Sequence, residues 1–436
     1  MALTATTRWK EELIITDEEG RSFTFQCGWG VDPLVAYVPG GDQWERCVPV
    51  WLRDRRGEVV EAMKTVNHRA LDMNSSLDGE RGRRRHTRIL VTHYGGPDAL
   101  QVVEEECPEP RDGEVRVRVL AAGVSLPDVM AREGVHPETP PVPFTPGWDL
   151  VGVVDRLGEG ISGIEPGQVV AALPIHGAYA EFVCLPQREL VPVPSGVDAA
   201  EAVSLVLNYV TAYQMLHRSA EVRRGQRVLI HGAAGGVGTA LLQLGRLAGL
   251  EMYGTCSSRS APAVSDLGGI PIDYRHQDFV KEIHRLTRDG VDAVFDPIGG
   301  GHLWQSRRAL RRGGRVVGYG LRSSLREGGL ASGRPGRRQR FRGTVIFGLY
   351  IAGGWLLPGR KRVIPYSIQT LKRLKPELFR QDLIALLDLL QQKQIKPLIA
   401  QRFPLAEARR AQELLAKGGV TGKIVLVLPS PESGAA

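Results

Sequence analysis

The stretch whose residue types and spacing carry the most chemistry is His231-Gly-Ala-Ala-Gly-Gly-Val-Gly238, a G-x-G-x-x-G pattern with Ala233 standing at the first glycine. In such a turn Gly235 removes the side chain that would hold backbone amides away from a diphosphate. Gly238 lets the following helix start close against the preceding strand, and the helix N-terminus presents N–H groups and a positive dipole end. About twenty residues on, Gly254-Thr-Cys-Ser-Ser-Arg259 has no Asp or Glu to take the ribose hydroxyls of NAD. The hydroxyls of Ser257 and Ser258 and the planar guanidinium of Arg259 suit a 2′-phosphate instead, which favours NADPH. The plainer alternatives are a glycine-rich turn that binds nothing and an ordinary exposed arginine after a strand.

Such a turn works only between a strand and a helix, and the flanks supply both: the apolar run Arg227-Val-Leu-Ile230 before it and the amphipathic run Thr239 to Ala248 after it. From about Val203 strand-like runs at Val228-Leu-Ile230, Tyr253-Gly254, Ala293-Val-Phe295 and Arg315-Val-Val317 alternate with helical ones, a βαβ succession that implies a parallel sheet. From Thr87 the texture differs. Short runs such as Ile89 to Thr92, Val115 to Leu120, Leu150 to Val154, Val169 to Ala172 and Ala180 to Cys184 are parted by Gly and Pro, as in a compact β-rich domain. Amphipathic helices at Asp382 to Leu390 and Ala406 to Leu415 and a last strand at Gly422 to Leu428 complete that domain after the βαβ interruption.

Residues 1–75 read as a small separate module with a hairpin, Leu13 to Thr16 and Ser22 to Gln26 around Asp17-Glu-Glu-Gly20. A further apolar piece, Val35 to Val38, precedes a helix near Val59 to Met63. Trp9, Trp29, Trp44 and Trp51 fall in this module and read as its core. A structural role and a protein-contact or membrane-surface role both stay open for it. Residues 76–86 are glycine-containing and charged, and read as a linker.

With 436 residues, 42% apolar and 24% charged, the chain has the balance of an ordinary globular protein of two or three domains. The five cysteines, Cys27, Cys47, Cys107, Cys184 and Cys256, form no C-x-x-C pair, so neither a disulfide framework nor a cysteine zinc site is indicated; a cytoplasmic setting fits. The first twenty residues lack the basic-then-apolar order expected of a signal peptide, and no run reaches the roughly eighteen apolar residues of a membrane span. The apolar piece Val345 to Leu357 reads as a buried strand or pocket wall, with interfacial membrane contact as the alternative. The net charge of +8 comes from clusters at Arg81 to Arg85 and Arg334 to Arg342, without any motif of specific nucleic-acid recognition.

Residues from about 87 to 430 resemble the zinc-free, quinone-oxidoreductase-like (zeta-crystallin-like) branch of the medium-chain dehydrogenase/reductase superfamily. The similar motifs are Tyr94-Gly-Gly-Pro-Asp-Ala-Leu100, Ala122-Gly-Val-Ser-Leu-Pro-Asp128, Phe144-Thr-Pro-Gly-Trp-Asp-Leu-Val-Gly-Val-Val154, Thr211-Ala-Tyr213, the glycine turn, Asp273-Tyr-Arg275, Asp296-Pro-Ile-Gly-Gly300 and Gly422-Lys-Ile-Val-Leu426. The resemblance implies an α/β protein in which a parallel-sheet Rossmann domain (207–345) is inserted in a GroES-like β-rich domain (87–206 and 346–430), beside the small N-terminal α+β module. It also implies NADPH, reduction of a quinone or α,β-unsaturated carbonyl, and a homodimer. By matching position, Ala234, Gly235, Gly236, Val237 and Gly238 hold the pyrophosphate. Ser257, Ser258, Arg259 and Tyr274 take the 2′-phosphate end, and Thr211, Gly318 and Tyr319 lie near the nicotinamide.

Zinc-dependent relatives need a Cys, a His-Glu pair and a further ligand; here Ser125 and Trp148-Asp149 stand at those positions, so no metal is expected. Ser125 and His136 replace the Asn and Tyr that the family often places by the nicotinamide. His136 is a candidate proton donor near neutral pH, or else lines the pocket; Asn208 and Tyr209 are further candidate donors. Two other readings stand beside the quinone or enone reductase: an enoyl-thioester reductase whose basic segment Arg334 to Arg342 meets a carrier, and an NADPH-binding interaction protein with little catalysis. Substrate choice is expected to lie largely in the loop Leu321 to Arg342.

Overall fold

The computed structural model describes residues 3–8, 12–26, 34–38, 44, 48–65, 68–72, 84–320 and 361–428. The expectations for Trp9, Trp29, Cys27, Cys47, the loop Leu321 to Arg342 and the apolar piece Val345 to Leu357 fall outside these residues.

Near the N-terminus, β1 (Thr4–Arg8), β2 (Glu12–Thr16) and β3 (Ser22–Gln26) form an antiparallel sheet, while β4 (Leu34–Val38) pairs in parallel with β5 (His68–Asp72). Period-two alternation puts Leu13 and Ile15 of β2 inside, and Asp17 closes the hairpin by accepting the amides of Glu19 and Arg21. The helix Arg56–Thr65 adds Val59 and Met63 to a core that includes Phe25, Trp44 and Leu52. The Trp44 indole N–H donates to the Leu52 and Arg53 carbonyls, so the ring is buried without an orphaned donor.

The parallel sheet is built from β13 (Arg227–His231), β14 (Glu251–Cys256), β15 (Gly269–Asp273), β16 (Val291–Asp296), β17 (Leu310–Gly318) and β18 (Arg362–Pro365), in the order β15-β14-β13-β16-β17-β18. Every pair in it is parallel. Val228, Leu229 and Ile230 of the central strand are fully buried, as helices on both faces require. The strand order reverses on either side of β13, and the C-terminal end of that strand is where an open α/β sheet offers a crevice.

The β-rich part comprises a ribbon of β6 (Arg85–Val91) and β7 (Leu100–Glu106) and a larger sheet. The sheet contains β8 (Glu114–Val124), β9 (Leu150–Leu157), β10 (Val169–Ala172), β11 (Phe182–Pro186), β12 (Val191–Pro192), β19 (Ile399–Pro404) and β20 (Lys423–Val427). Its order is β12-β10-β9-β8-β20-β19, with β11 also on β8, so strands from before and after the parallel sheet share one layer. This is the Rossmann sheet inserted in a GroES-like domain. Residues 199–219 bridge the two as one helical run whose segments Leu205–Tyr209 and Met215–Ser219 are π-type.

Candidate active site

The turn after β13 has the geometry its glycines require. Gly232 sits at φ 64°, and Gly235 precedes the helix Gly236–Leu247, whose N-terminus no side chain caps. A Cβ on Gly238 would lie 2.3 Å from the Gly232 carbonyl oxygen, so this residue sets how closely helix and strand approach. A Cβ on Gly236 would lie 2.2 Å from Asn208 Nδ2, while one on Gly235 would meet nothing nearer than 3.3 Å. Of the three glycines, Gly235 has the least crowded Cβ position, close only to the Gly232 carbonyl oxygen. Ala233 is accommodated by a glycine that sequence reading left unassigned. A Cβ on Gly254 of the neighbouring strand would stand 2.6 Å from the Ala233 Cβ.

Ser257, Ser258 and Arg259 lie in the short turn after β14, and Tyr274 follows β15; the Tyr274 amide donates to the Cys256 carbonyl at 3.3 Å. Ser258, Arg259 and Tyr274 are exposed, and the Arg275 guanidinium lies 6.0 Å from the Tyr274 ring centre. Arg275 is thus a second cation at this end. It stood in the quoted motif without a role.

At the ends of β16 and β17, Tyr319 donates its amide to the Asp296 carbonyl at 2.9 Å, and the Tyr366 amide donates to the Gly318 carbonyl at 2.8 Å. The Tyr366 hydroxyl donates to Gln214 Oε1 at 2.8 Å and lies against Thr211, so Thr211 and Gly318 meet through Tyr366. Asn208 and Tyr209 belong to the first π-type segment. Asn208 packs on the glycine turn, whereas the buried Tyr209 hydroxyl has no partner among the described residues. Burial raises the Tyr209 phenol above its ordinary range and keeps it protonated.

Beneath the turn His231, Asp296 and His302 come close enough to share an ion. His231 Nδ1 bonds Thr255 at 3.0 Å and Nε2 bonds Ser306 at 3.2 Å, while Asp296 Oδ1 accepts the amides of Ile298 and Gly299. Asp296 Oδ2 takes Ser306 and His302 at 2.6 and 2.7 Å. Burial opposes ionisation of Asp296, but the His302 bond and the facing imidazoles hold it down at about 2. The His231 nitrogens are thus taken up by Thr255 and Ser306, while Asp296 accepts the amides of the Pro297-Ile-Gly-Gly loop.

From the β-rich domain, Ser125 caps the helix Leu126–Arg132 in a reciprocal box with Asp128. His136 meets the Trp148 ring edge-on at 5.3 Å, and His176 meets the same ring at 6.4 Å. Burial pushes His136 and His176 down to about 4. Burial disfavours the charged form of the His136 ring, so a proton it gave near neutral pH would come from the neutral imidazole. His136 Nδ1 accepts the Glu138 amide at 3.2 Å, which leaves the ring proton on Nε2. His176 was missed because nothing local to the loop around Gly177 ties it to Trp148.

The zinc ligand set is not reproduced. Trp148 offers no ligand, Ser125 is bonded to Asp128, and Asp149 Oδ2 accepts Lys423 Nζ at 2.9 Å in a buried ion pair. One strand joins the two halves of the site. The Gly422 amide donates to the Ala234 carbonyl at 2.9 Å, and the next residue, Lys423, reaches Asp149.

Residues 111–195 match the alcohol dehydrogenase GroES-like domain family and residues 269–426 the zinc-binding dehydrogenase family. The synaptic vesicle membrane protein VAT-1 homolog of Rattus norvegicus is 33% identical over 348 residues, 79% of this chain and 84% of that protein. The quinone oxidoreductase of Homo sapiens is 28% identical across 80% of this chain and 99% of its own length. Among solved structures, mycobacterial Rv1454c complexed with NADPH is similar at a TM-score of 0.66 and 29% identity, covering 78% of this chain and 99% of that one. The chain belongs to the medium-chain dehydrogenase/reductase superfamily of oxidoreductases, alongside its quinone oxidoreductase and VAT-1 members. No helix among the described residues is long and apolar enough to cross a membrane.

Proposed function

We propose that this protein reduces quinones or α,β-unsaturated carbonyls with NADPH and without zinc. The observation that carries the reading is the juxtaposition made at the start of β20, where Gly422 bonds the glycine turn at Ala234 and the next residue, Lys423, bonds Asp149 beside Trp148. When bound, the nicotinamide supplies a hydride. Ala234, Gly235, Gly236, Val237 and Gly238 hold the diphosphate, and Arg259 with Tyr274 and Arg275 holds the 2′-phosphate. Thr211, Gly318 and Tyr319 flank the nicotinamide. Ser125 and the neutral His136 Nε2–H orient the acceptor and stabilise the charge that grows on its oxygen. A homodimer in the cytoplasm is part of the same proposal.

The test mixes purified protein with NADPH and 9,10-phenanthrenequinone, 1,4-benzoquinone or 2-alkenals, and follows the nicotinamide absorbance. Consumption of NADPH that survives chelation supports the reading. No consumption with any acceptor, or loss of activity on removing zinc, contradicts it.

A further inference from the structure

Asp128 is 1% exposed, and its carboxyl is bonded to Ser125 and Gly147 and faces the Tyr179 hydroxyl. Its Oδ2 accepts the Ser125 hydroxyl and, at 2.9 Å, the Ser125 amide; its Oδ1 accepts the Gly147 amide at 2.9 Å. Gly147 directly precedes Trp148, the ring that His136 and His176 meet. The carboxyl thus ties the serine to the wall of the corner.

The charged and titratable groups that face it come from four places: Ser125 at its own helix start, Asp149 before β9, Tyr179 before β11, and Lys423 on β20. Lys423 is bound to Asp149, so Asp128 has no ion-pair partner among the described residues. Burial is the largest influence and raises the Asp128 pKa, with the Asp149 charge adding to it; the Ser125 bonds and Lys423 pull the other way, and the result is about 7. Such a carboxyl holds a proton part of the time at neutral pH, and of the two hydroxyls beside it, Ser125 and Tyr179, the one we take toward the acceptor is Ser125.

We propose that Asp128 and Ser125 form a proton relay to the acceptor, an inference that rests on the reductase reading above. As the acceptor takes up a hydride, the Ser125 O–H bond breaks and its proton goes to the acceptor oxygen. The Asp128 carboxylic O–H bond breaks in turn and restores the serine hydroxyl. One hydride and one proton are added to the acceptor, and Asp128 is left as a carboxylate that solvent reprotonates. Asp128 is a proton store acting through Ser125, and Ser125 is the group that touches substrate.

The experiment compares full-length wild type, Ser125→Ala and Asp128→Asn by two readouts. Infrared difference spectra of the protein alone, between about pH 5 and pH 9, are expected to show a protonated-carboxyl band that titrates near neutrality and is absent from Asp128→Asn. With NADPH and 9,10-phenanthrenequinone, the wild-type kcat is expected to fall about tenfold per pH unit above that titration and to drop in D2O. Both variants are expected to lose this limb and about 100-fold in kcat at pH 6, with KM for NADPH held within about twofold. Ser125→Ala keeps the Asp128 bonds to the two amides, so it reports even where Asp128→Asn fails to fold. Wild-type kcat and an unchanged pH limb in Ser125→Ala, or a carboxyl band that does not titrate, would overturn the relay. Wild type that binds NADPH and shows the titrating band but reduces no acceptor overturns the reductase reading and, with it, the relay's transfer to substrate.

Discussion

The glycine turn and the Ser125–Trp148 corner are held by adjacent residues at the start of β20, Gly422 and Lys423, yet the sequence encodes them in opposite ways. The turn is a backbone site. Its working parts are amides and missing side chains within Gly232 to Gly238, so their spacing in the chain is already their spacing in space. The corner is a side-chain site assembled from Ser125 and Asp128, His136, Trp148 and Asp149, His176 and Lys423, five stretches that only the topology brings together. The turn should therefore respond to steric and charge changes through affinity, and the corner through stability and proton balance.

The largest effect is expected where the corner buries opposite charges. Lys423→Met leaves the buried Asp149 carboxylate without its partner and should cost about 3–5 kcal/mol of stability, read by urea unfolding; a cost below about 1 kcal/mol would contradict a buried pair. Next comes acid sensitivity of the same corner. His136 and His176 are neutral when folded, held to about 4, but take up a proton in the unfolded chain below about pH 6.5. Stability is thus complete above pH 6.5 and drains as pH falls toward 4, by roughly 3 kcal/mol for either ring taken alone. His176→Phe should flatten that slope in melting curves taken across this range.

At the turn, Gly235→Val sets its Cβ 3.3 Å from the Gly232 carbonyl oxygen, so a small drop in melting temperature should accompany a fall in NADPH affinity of at least about 100-fold, or about 2.7 kcal/mol, in a fluorescence titration. A variant that binds normally would show that the cradle is not there. The smallest effect is expected from Arg259→Ala, about tenfold on NADPH and none on NADH; equal losses for both dinucleotides would move the 2′-phosphate contact elsewhere.

Much of the architecture was legible because it is periodic. The hairpin around Asp17 to Gly20, the helix near Val59 to Met63, the βαβ strands and the final strand all stand where alternation and spacing put them. The glycine turn was legible for the same local reason. Gly254 was not, since its role is to make room for Ala233 one strand away. His176, Lys423 and the place of Asp128 in the corner were equally hidden, because each takes its meaning from a partner distant in the chain. The protonation state of His136 depends on burial, which no residue spacing reports.

The central claim is that a phosphorylated nicotinamide dinucleotide docks on the turn after β13. Calorimetric titration of the intact protein with NADPH and with NADH tests it most directly. The account predicts NADPH binding at least about tenfold tighter than NADH. Tighter binding of NADH, or no binding of either, would contradict it.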